Sequence, residues 1–540
     1  MADKTIEILG RYDKLEADKS NYLSLWQEIA DFCFPQGSNM QRYYEKGEKR
    51  RRMIYDTTAE SALDIAASGI VGLAANPTAK YISFKAPKQL ENNADVKAHA
   101  QEARDFVLEV FNDPRTGFYT NLIHTAKQWL AFGTTPFMAD IDEEVVAKFR
   151  SDTPRGLNFT ETFQGGVNEI FLERELTTKS LQAKVDKEGW NIPDKILKKK
   201  PDDKTCVVRY VYPNPDYKVG MLGEAGAKYL SEYYLKEEKS LVKKSFFYVQ
   251  PIAIGRYDRM DMEKWADSAA RMVLSDIKMV NLAERFMTVY MEKELNPTLF
   301  VSSEAKFGKL DLSGGAVNVG RGNPNDTIRE LKTTGRAIEP FQWMEQKREV
   351  IRKGFFNDKF QMIDATGIQN VNNGVAFLYN QENLRLIAPK VAKFQSEIIS
   401  VMAEFVYDTA VRQGKLKVPQ ALINAELTVA YTSTAGQAQR SEEANAIMQY
   451  LADVNNIVAS IGQVDPEKAA KIVSRLDADY ILDELAEIRG VNVRVLRPEE
   501  EVKQEMEQKE QAQQAQQQLA NLQQAADVGV KMAQANSLQQ

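Results

Sequence analysis

The chain has 540 residues, of which 43% are hydrophobic and 27% charged, and its net charge is −6 at pH 7. That length supplies three or four domain-sized units at about 150 residues each. The acidic balance speaks against tight gripping of duplex DNA, whose binders carry a basic excess to neutralise phosphates.

Residues 3–34 read as one amphipathic helix, with Ile8, Tyr12, Leu15, Tyr22, Leu25, Ile29 and Phe32 at mostly three- and four-residue steps. Pro35-Gln36-Gly37 ends it. The stretch Lys46 to Arg52 is almost solidly charged and reads on its own as a solvated loop. Thr57 with Glu60 has the spacing of a capping box. The helix that follows, Ala59–Ala75, is made of small residues, carries Gly69 and Gly72, and stops at Asn76-Pro77. Small side chains admit a neighbouring backbone, so tight packing is expected there. A short strand at 81–84 and two amphipathic helices at 95–112 and 117–132 follow, the second closed by Gly133.

From Pro136 to Pro213 the period shifts towards two, with strand signals at 137–140, 145–149, 169–173 and 206–212 and a short helix near 178–187. More strand signal lies in 229–254. A long helix over 267–294, striped with Val273, Ile277, Val280, Ala283, Met287 and Met291, stops at Asn296-Pro297. A glycine-dotted unit at 298–338 separates it from a returning helix at 340–360, giving a hairpin with a decorated tip. Basic residues in that tip (Lys306, Lys309, Arg321, Arg329, Lys332 and Arg336) stand where a partner can reach them. Residues 362–376 are Gly- and Asn-rich and read as a loop. A very long helix is expected over 375–413, kinked at Pro389, then a strand-and-turn segment at 418–434. Helix dominates from 437. The Gln- and Ala-rich stretch 499–540 is a marginal helix by itself, or a helical crown if neighbouring copies pack against it. The fold class is mainly α with α+β parts.

Catalytic patterns are missing from the sequence. There is no HExxH, paired CxxC, phosphate loop, dinucleotide fingerprint or G-x-S-x-G elbow. His99 and His124 sit on predicted helices and read as structural or surface residues. Asp140 with Asp142, and Asp202-Asp203, have the chemistry to hold Mg²⁺, although such pairs more often sit in solvated turns. Cys33 and Cys206 read as buried apolar residues of a reducing compartment. No stretch of about 18 apolar residues exists, so no membrane contact is expected, and the N-terminus lacks a signal-peptide layout. No catalytic, cofactor-binding or metal-binding residue is expected.

The order of these pieces carries a resemblance. The stretches are Tyr22 to Pro35 with Trp26-Gln27-Glu28-Ile29-Ala30-Asp31; Tyr55-Asp56-Thr57-Thr58-Ala59 through Asn76-Pro77; Ser275-Asp276-Ile277-Lys278-Met279-Val280-Asn281; and Gln381 to Pro389. In that order and spacing the chain is similar to the head-to-tail connector (portal) proteins of short-tailed, T7-like bacteriophages. The resemblance implies a portal fold in a ring oligomer, usually a dodecamer, at the capsid vertex of the virion, made in the host bacterial cytoplasm. It implies a wing at 1–265 and 360–436, a stem of two helices at 266–295 and 339–359, a clip at 296–338, and a helical crown and tail at 437–540. Residues 362–376 become a tunnel loop facing the DNA, with Asn370, Asn372 and Asn373 at the narrowest part of the channel, and the tip cations become a docking site. The partners implied are the terminase large subunit that drives packaging, a tail adaptor protein, the major capsid and scaffold proteins, internal core proteins, and double-stranded DNA in transient contact. ATP is then spent by the motor and this chain is no enzyme. The alternatives are a helical scaffold or internal virion protein without a channel, and a metal-dependent nuclease.

The channel expectation is testable. Asn372→Lys places a cation against the passing polyanion, so packaging or ejection should slow, and more so at low salt where screening is weak. Unchanged rates in packaging and ejection assays at two ionic strengths count against the placement.

Overall fold

The computed structural model describes residues 2–295, except 38, 43–44, 46, 91–92 and 261–262; four short strands within 296–337; residues 338–360; residues 373–462, except 423–426 and 432–433; and isolated positions up to 485. The chain divides into two compact units, 1–436 and 437–540.

In the first unit, α1 (Ala2–Asp18) and α2 (Ser20–Cys33) replace the single helix expected over 3–34. The break falls at Lys19, which is fully buried. Its Nζ pairs with Glu16 at 2.7 Å and donates to the carbonyls of Arg155 and Leu157, the latter at 3.1 Å. A buried ammonium needs such partners, and no hydrophobic period announces them. Helix α3 (Thr58–Ala74) forms as expected, but without the capping box. The Thr57 hydroxyl makes no cap bond. Instead Asp56 Oδ1 accepts the Thr58 N–H at 2.9 Å, and Glu60 pairs with Arg51. The small residues Ala59, Ala62, Ala66, Ala67 and Ala74 are buried.

After β1 (Ile82–Lys85), α4 (Ala94–Asn112) and α5 (Phe118–Phe132) come β2 (Thr134–Asp142), β3 (Val146–Ser151), β4 (Leu157–Glu161) and β5 (Val167–Thr177). Next are α6 (Thr178–Glu188), α7 (Asp194–Leu197), β6 (Lys204–Pro213), β7 (Tyr229–Leu235), β8 (Ser240–Phe247) and β9 (Ile252–Arg256). Two antiparallel sheets result, in strand orders β3-β2-β9 and β4-β5-β6-β7-β8. Alternation along β6 and β7 gives the larger sheet two apolar faces. Helix α1 lays Ile8, Leu9 and Tyr12 on Phe171, Val208, Tyr210 and Tyr234. On the opposite face, Leu181, Trp190, Ile192 and Ile196 cover Val207, Leu235 and Val242. The smaller sheet joins α2, α3, α4 and α5 in the main core. There Trp26 meets Trp265 edge-on at 5.0 Å, and Trp129 meets Tyr257 and Phe394. Of the two cysteines, Cys33 is buried, while Cys206 is only half-buried and donates from Sγ to Glu173 at 3.0 Å.

A hairpin of long helices follows. Helix α8 (Ala269–Leu295) leads to β10 (Leu299–Val301), β11 (Lys306–Phe307), β12 (Gly320–Arg321) and β13 (Ile328–Glu330). These pair antiparallel as β10-β13 and β11-β12. Helix α9 (Ile338–Gly354) returns, but it does not reach 360: Phe356 takes a left-handed φ of 60° and a separate short helix α10 (Asn357–Phe360) follows.

Helix α11 (Asn373–Phe394) runs through Pro389. The irregularity falls later, as a π-turn at Gln395–Ile399, before α12 (Ser400–Arg412). Polar partners hold the wide turn open, as is common for such turns. Gln395 Nε2 donates to the carbonyl of Ala74 at 2.9 Å, the Tyr431 hydroxyl donates to the carbonyl of Gln395 at 2.7 Å, and Glu397 Oε2 accepts the Arg256 N–H at 2.6 Å. Tyr431 belongs to β14 (Thr428–Tyr431), which pairs antiparallel with β1 and so returns the late chain to its beginning. Helix α13 (Thr434–Gly462) carries the chain into the second unit.

Glu397 yields a prediction. Burial raises its carboxyl above the usual carboxylate range, against the lowering effects of the Arg256 N–H, Lys393 and the Arg256 charge. A carboxyl whose folded pKa is raised loses stability as pH rises through that value. Glu397→Gln keeps the acceptor and removes the charge, so its thermal midpoint should exceed that of the parent by more at pH 8 than at pH 5. An equal gap at both pH values would contradict this.

Candidate functional site

The two-helix hairpin and the loop that grips its root are the features most clearly built for more than holding a core. Each helix has a buried stripe: Val273, Ile277 and Val280 on α8, and Met344 and Ile351 on α9. At Gly354 the helices lie close enough that a Cβ would collide with the Val273 side chain. Lys347 pairs with Asp276 across the hairpin at 2.7 Å.

The loop before α3 reaches both helices. Asn281, on α8, is 8% exposed. Its Oδ1 accepts the N–H groups of Tyr55 (2.7 Å) and Asp56 (3.2 Å), and its Nδ2 donates to the carbonyl of Met53 (2.7 Å). One amide thus satisfies three backbone groups of a loop more than 200 residues away, which fixes that loop without any regular structure of its own. Asp56 does two jobs. Oδ1 caps α3, and Oδ2 accepts from Arg348 Nε of α9 at 2.8 Å. Arg348 Nη2 donates to Glu284 of α8 at 2.9 Å, and Nη1 to Glu345 at 3.4 Å. Burial pulls the Arg348 guanidinium down, and Asp56, Glu345 and Glu284 more than offset it, so the group stays charged. Lys278 of α8 adds an ion pair to Glu28 of α2. Residues 22–35, 55–59 and 275–281 therefore meet at one place. The sequence reading singled out those stretches but not Asp56, Asn281, Glu284 and Arg348 as interacting residues.

Away from the buried stripe, α8 carries a second one. Met279, Leu282, Phe286 and Val289 follow at three- and four-residue steps and are between 42% and 62% exposed. Trp343 and Val350, seven residues apart on α9, are also exposed. Exposed apolar side chains in a helical stripe are the kind of surface from which interfaces are built.

Of the tip cations, Lys306 stands opposite Arg321 across β11 and β12, and Arg329 stands opposite Phe300 across β10 and β13. Lys309, Lys332 and Arg336 lie outside the described residues. So do Asn370 and Asn372. Asn373 opens α11, two residues before the helix start expected at Val375.

The acidic pairs are engaged by cations and backbone. Asp140 meets Arg209 at 3.1 Å, Asp142 meets Lys148 at 2.6 Å, and Asp203 accepts the Lys200 N–H at 3.1 Å. Among the described residues, no group of three or more His, Cys, Asp and Glu side chains is placed to hold a metal ion. His99 is buried and its Nε2 lies 3.0 Å from the Tyr407 hydroxyl; burial lowers its pKa. His124 is exposed.

The clamp makes two contrasting predictions. Arg348→Met strands the nearly buried Asp56 carboxylate and should cost about 3 kcal/mol. Thr57→Ala, at the position without a cap bond, should stay within about 0.5 kcal/mol. Urea denaturation midpoints of the two variants test this, and similar shifts for both would refute the assignment of the cap to Asp56.

Comparison with known proteins identifies the family. The family described as "Bacteriophage head to tail connecting protein" matches residues 5–496. The chain is 24% identical over 552 residues to the probable portal protein of Bordetella phage BPP-1, covering 100% of this chain and 98% of that protein. It is 21% identical over 549 residues to the portal protein of Salmonella phage epsilon15, covering 97% of this chain and 94% of that protein. With the match running from the first turns of α1 to far beyond α13, the chain belongs to the family of bacteriophage head-to-tail connecting proteins.

Proposed function

We propose that this connector acts as a ring of identical copies whose central opening passes double-stranded DNA into the phage head and out of it. The observation that carries the ring is the second apolar stripe on α8. Met279, Leu282, Phe286 and Val289 face away from the buried side of their own helix, and a three-four repeat of that kind packs against another helix. The exposed Trp343 and Val350 edge of α9 on a second copy offers a different, complementary surface. Two unlike surfaces on each copy make a head-to-tail contact, and such contacts close into rings when the rotation allows.

On this reading α8 and α9 are the stem, the strands between them the clip, and the mixed region 1–265 with 360–436 the wing. Residues 437–540 form the crown and tail. The segment 362–376 is the tunnel loop, where uncharged Asn370, Asn372 and Asn373 make only passing hydrogen bonds to phosphates. The clip docks the terminase large subunit during packaging and the tail adaptor afterwards. The basic composition of this segment, with Lys306, Lys309, Arg321, Arg329, Lys332 and Arg336, supports this, because clustered cations favour an acidic partner surface. The wing meets the coat and scaffold proteins, and the internal core proteins meet the crown. The work is mechanical: the motor spends ATP, and this chain holds, aligns and lets pass.

The ring is tested at its seam. Phe286→Glu and Leu282→Glu should abolish the oligomer, since a carboxylate cannot enter an apolar helix contact without a partner, while the far-ultraviolet circular dichroism of the monomer remains. Light scattering gives the mass and negative-stain images give the hole. A closed ring with unchanged mass in both variants would overturn the placement of the interface, and a parent protein with no central opening would overturn the channel.

A further inference from the structure

The seven residues 354–360 concentrate features that a simple helix-to-helix connection does not need. Helix α9 ends at Gly354, in contact with Val273. Phe355 is fully buried. Phe356 holds a left-handed φ of 60°, a conformation that an aromatic residue adopts only when its surroundings impose it. Asn357 is 2% exposed, and its Oδ1 has no hydrogen-bond partner among the described residues. The short helix α10 then ends with the Phe360 ring lying where a Cβ on Gly69 of α3 would be. Gly72, one turn further along α3, has open space beside it. The glycine requirement is therefore specific to position 69 and to one aromatic ring. Residues 355 and 356 are the whole connection between α9 and α10, so α10 has little freedom of its own once Phe360 is seated.

We propose that Phe360, seated against Gly69, is a positioning residue for the channel: it fixes where α10 ends, and so the point from which the segment 362–376 starts. The proposal rests on the reading of 362–376 as the tunnel loop. The strained Phe356 and the unpartnered Asn357 are the cost of reaching that seat, and the burial of Phe355 and the Phe360–α3 contact offset it. A loop that passes DNA must start from the same place in every copy, or the narrowest opening is not round. A helix whose notch at Gly69 accepts one ring sets that starting place to within the play of the contact.

The test uses rings of the full chain carrying Phe360→Ala, Gly69→Ala and both changes together. Ring mass should be unchanged in all three. Amide exchange across 357–360 should rise at least about tenfold in each single variant, because the seat is vacated or blocked. DNA packaged per head should fall by a similar factor. Both changes together should do no more than Phe360→Ala alone, since the two residues act through one contact. Additive losses would refute the shared seat, and faster exchange with packaging untouched would make the contact structural only. Should Phe360→Ala fail to assemble, Phe360→Leu, which keeps an apolar occupant of shorter reach, must show the same two effects at smaller size, and normal packaging with it sinks the proposal. Asn372→Lys measured alongside separates the two ideas. If it slows packaging while the seat variants do not, the positioning role falls alone; if it too has no effect, the tunnel-loop reading falls and takes the seat's role with it.

Discussion

A helix whose buried side sets five alanines among Leu63, Ile70 and Val71 is the constraint on which the first unit depends. Ala59, Ala62, Ala66, Ala67 and Ala74 keep α3 thin, and Gly69 removes even a methyl where Phe360 lies. Helices α2, α5, α9, α10 and α11 all pack on it. Interiors are packed as closely as organic crystals, so one larger side chain on that face would have to displace a whole helix. This explains why a helix with modest apolar bulk sits at the centre of the unit. Its contribution is proximity.

Proximity alone does not orient a hairpin, and polar groups complete the job. Asn281 and Arg348 join the loop before α3 to both hairpin helices, and Asp56 serves the loop, the helix cap and the guanidinium at once. Hydrogen bonds are directional where apolar contact is not. The apolar stripes fix which sides of α8 and α9 meet, and the clamp fixes how the pair leaves the rest of the unit. The outward stripe on α8 stays exposed because the inward one already suffices for the hairpin.

Much of the architecture was legible because period is a local property. Helices α4, α5 and α8, and the strands around 137–140, 169–173 and 206–212, fall within a few residues of their sequence signals. The misreadings have a common cause. The break at Lys19, the early end of α9 at Gly354 and the π-turn at 395–399 interrupt segments whose local pattern continues unbroken, and each is decided by a partner far along the chain: Arg155 and Leu157, Val273, and Ala74 with Arg256. Strand β4 gave no clear signal because its five residues hold just two apolar side chains, Leu157 and Phe159, too short a run to establish a period of two. The capping box failed because Asp56 lies one position earlier and its carboxylate reaches the same turn.

The sequence by itself determined the secondary-structure inventory, the absence of recognised catalytic motifs and the family resemblance, since composition, period and the order of segments are all written along one dimension. Only the tertiary structure decided that Asp56, Asn281, Glu284 and Arg348 form one clamp, that Gly69 rather than Gly72 receives a neighbour, and that α8 keeps an apolar stripe facing outward. Those are statements about which distant groups share a place, and the burial that brings them together belongs to the folded chain as a whole.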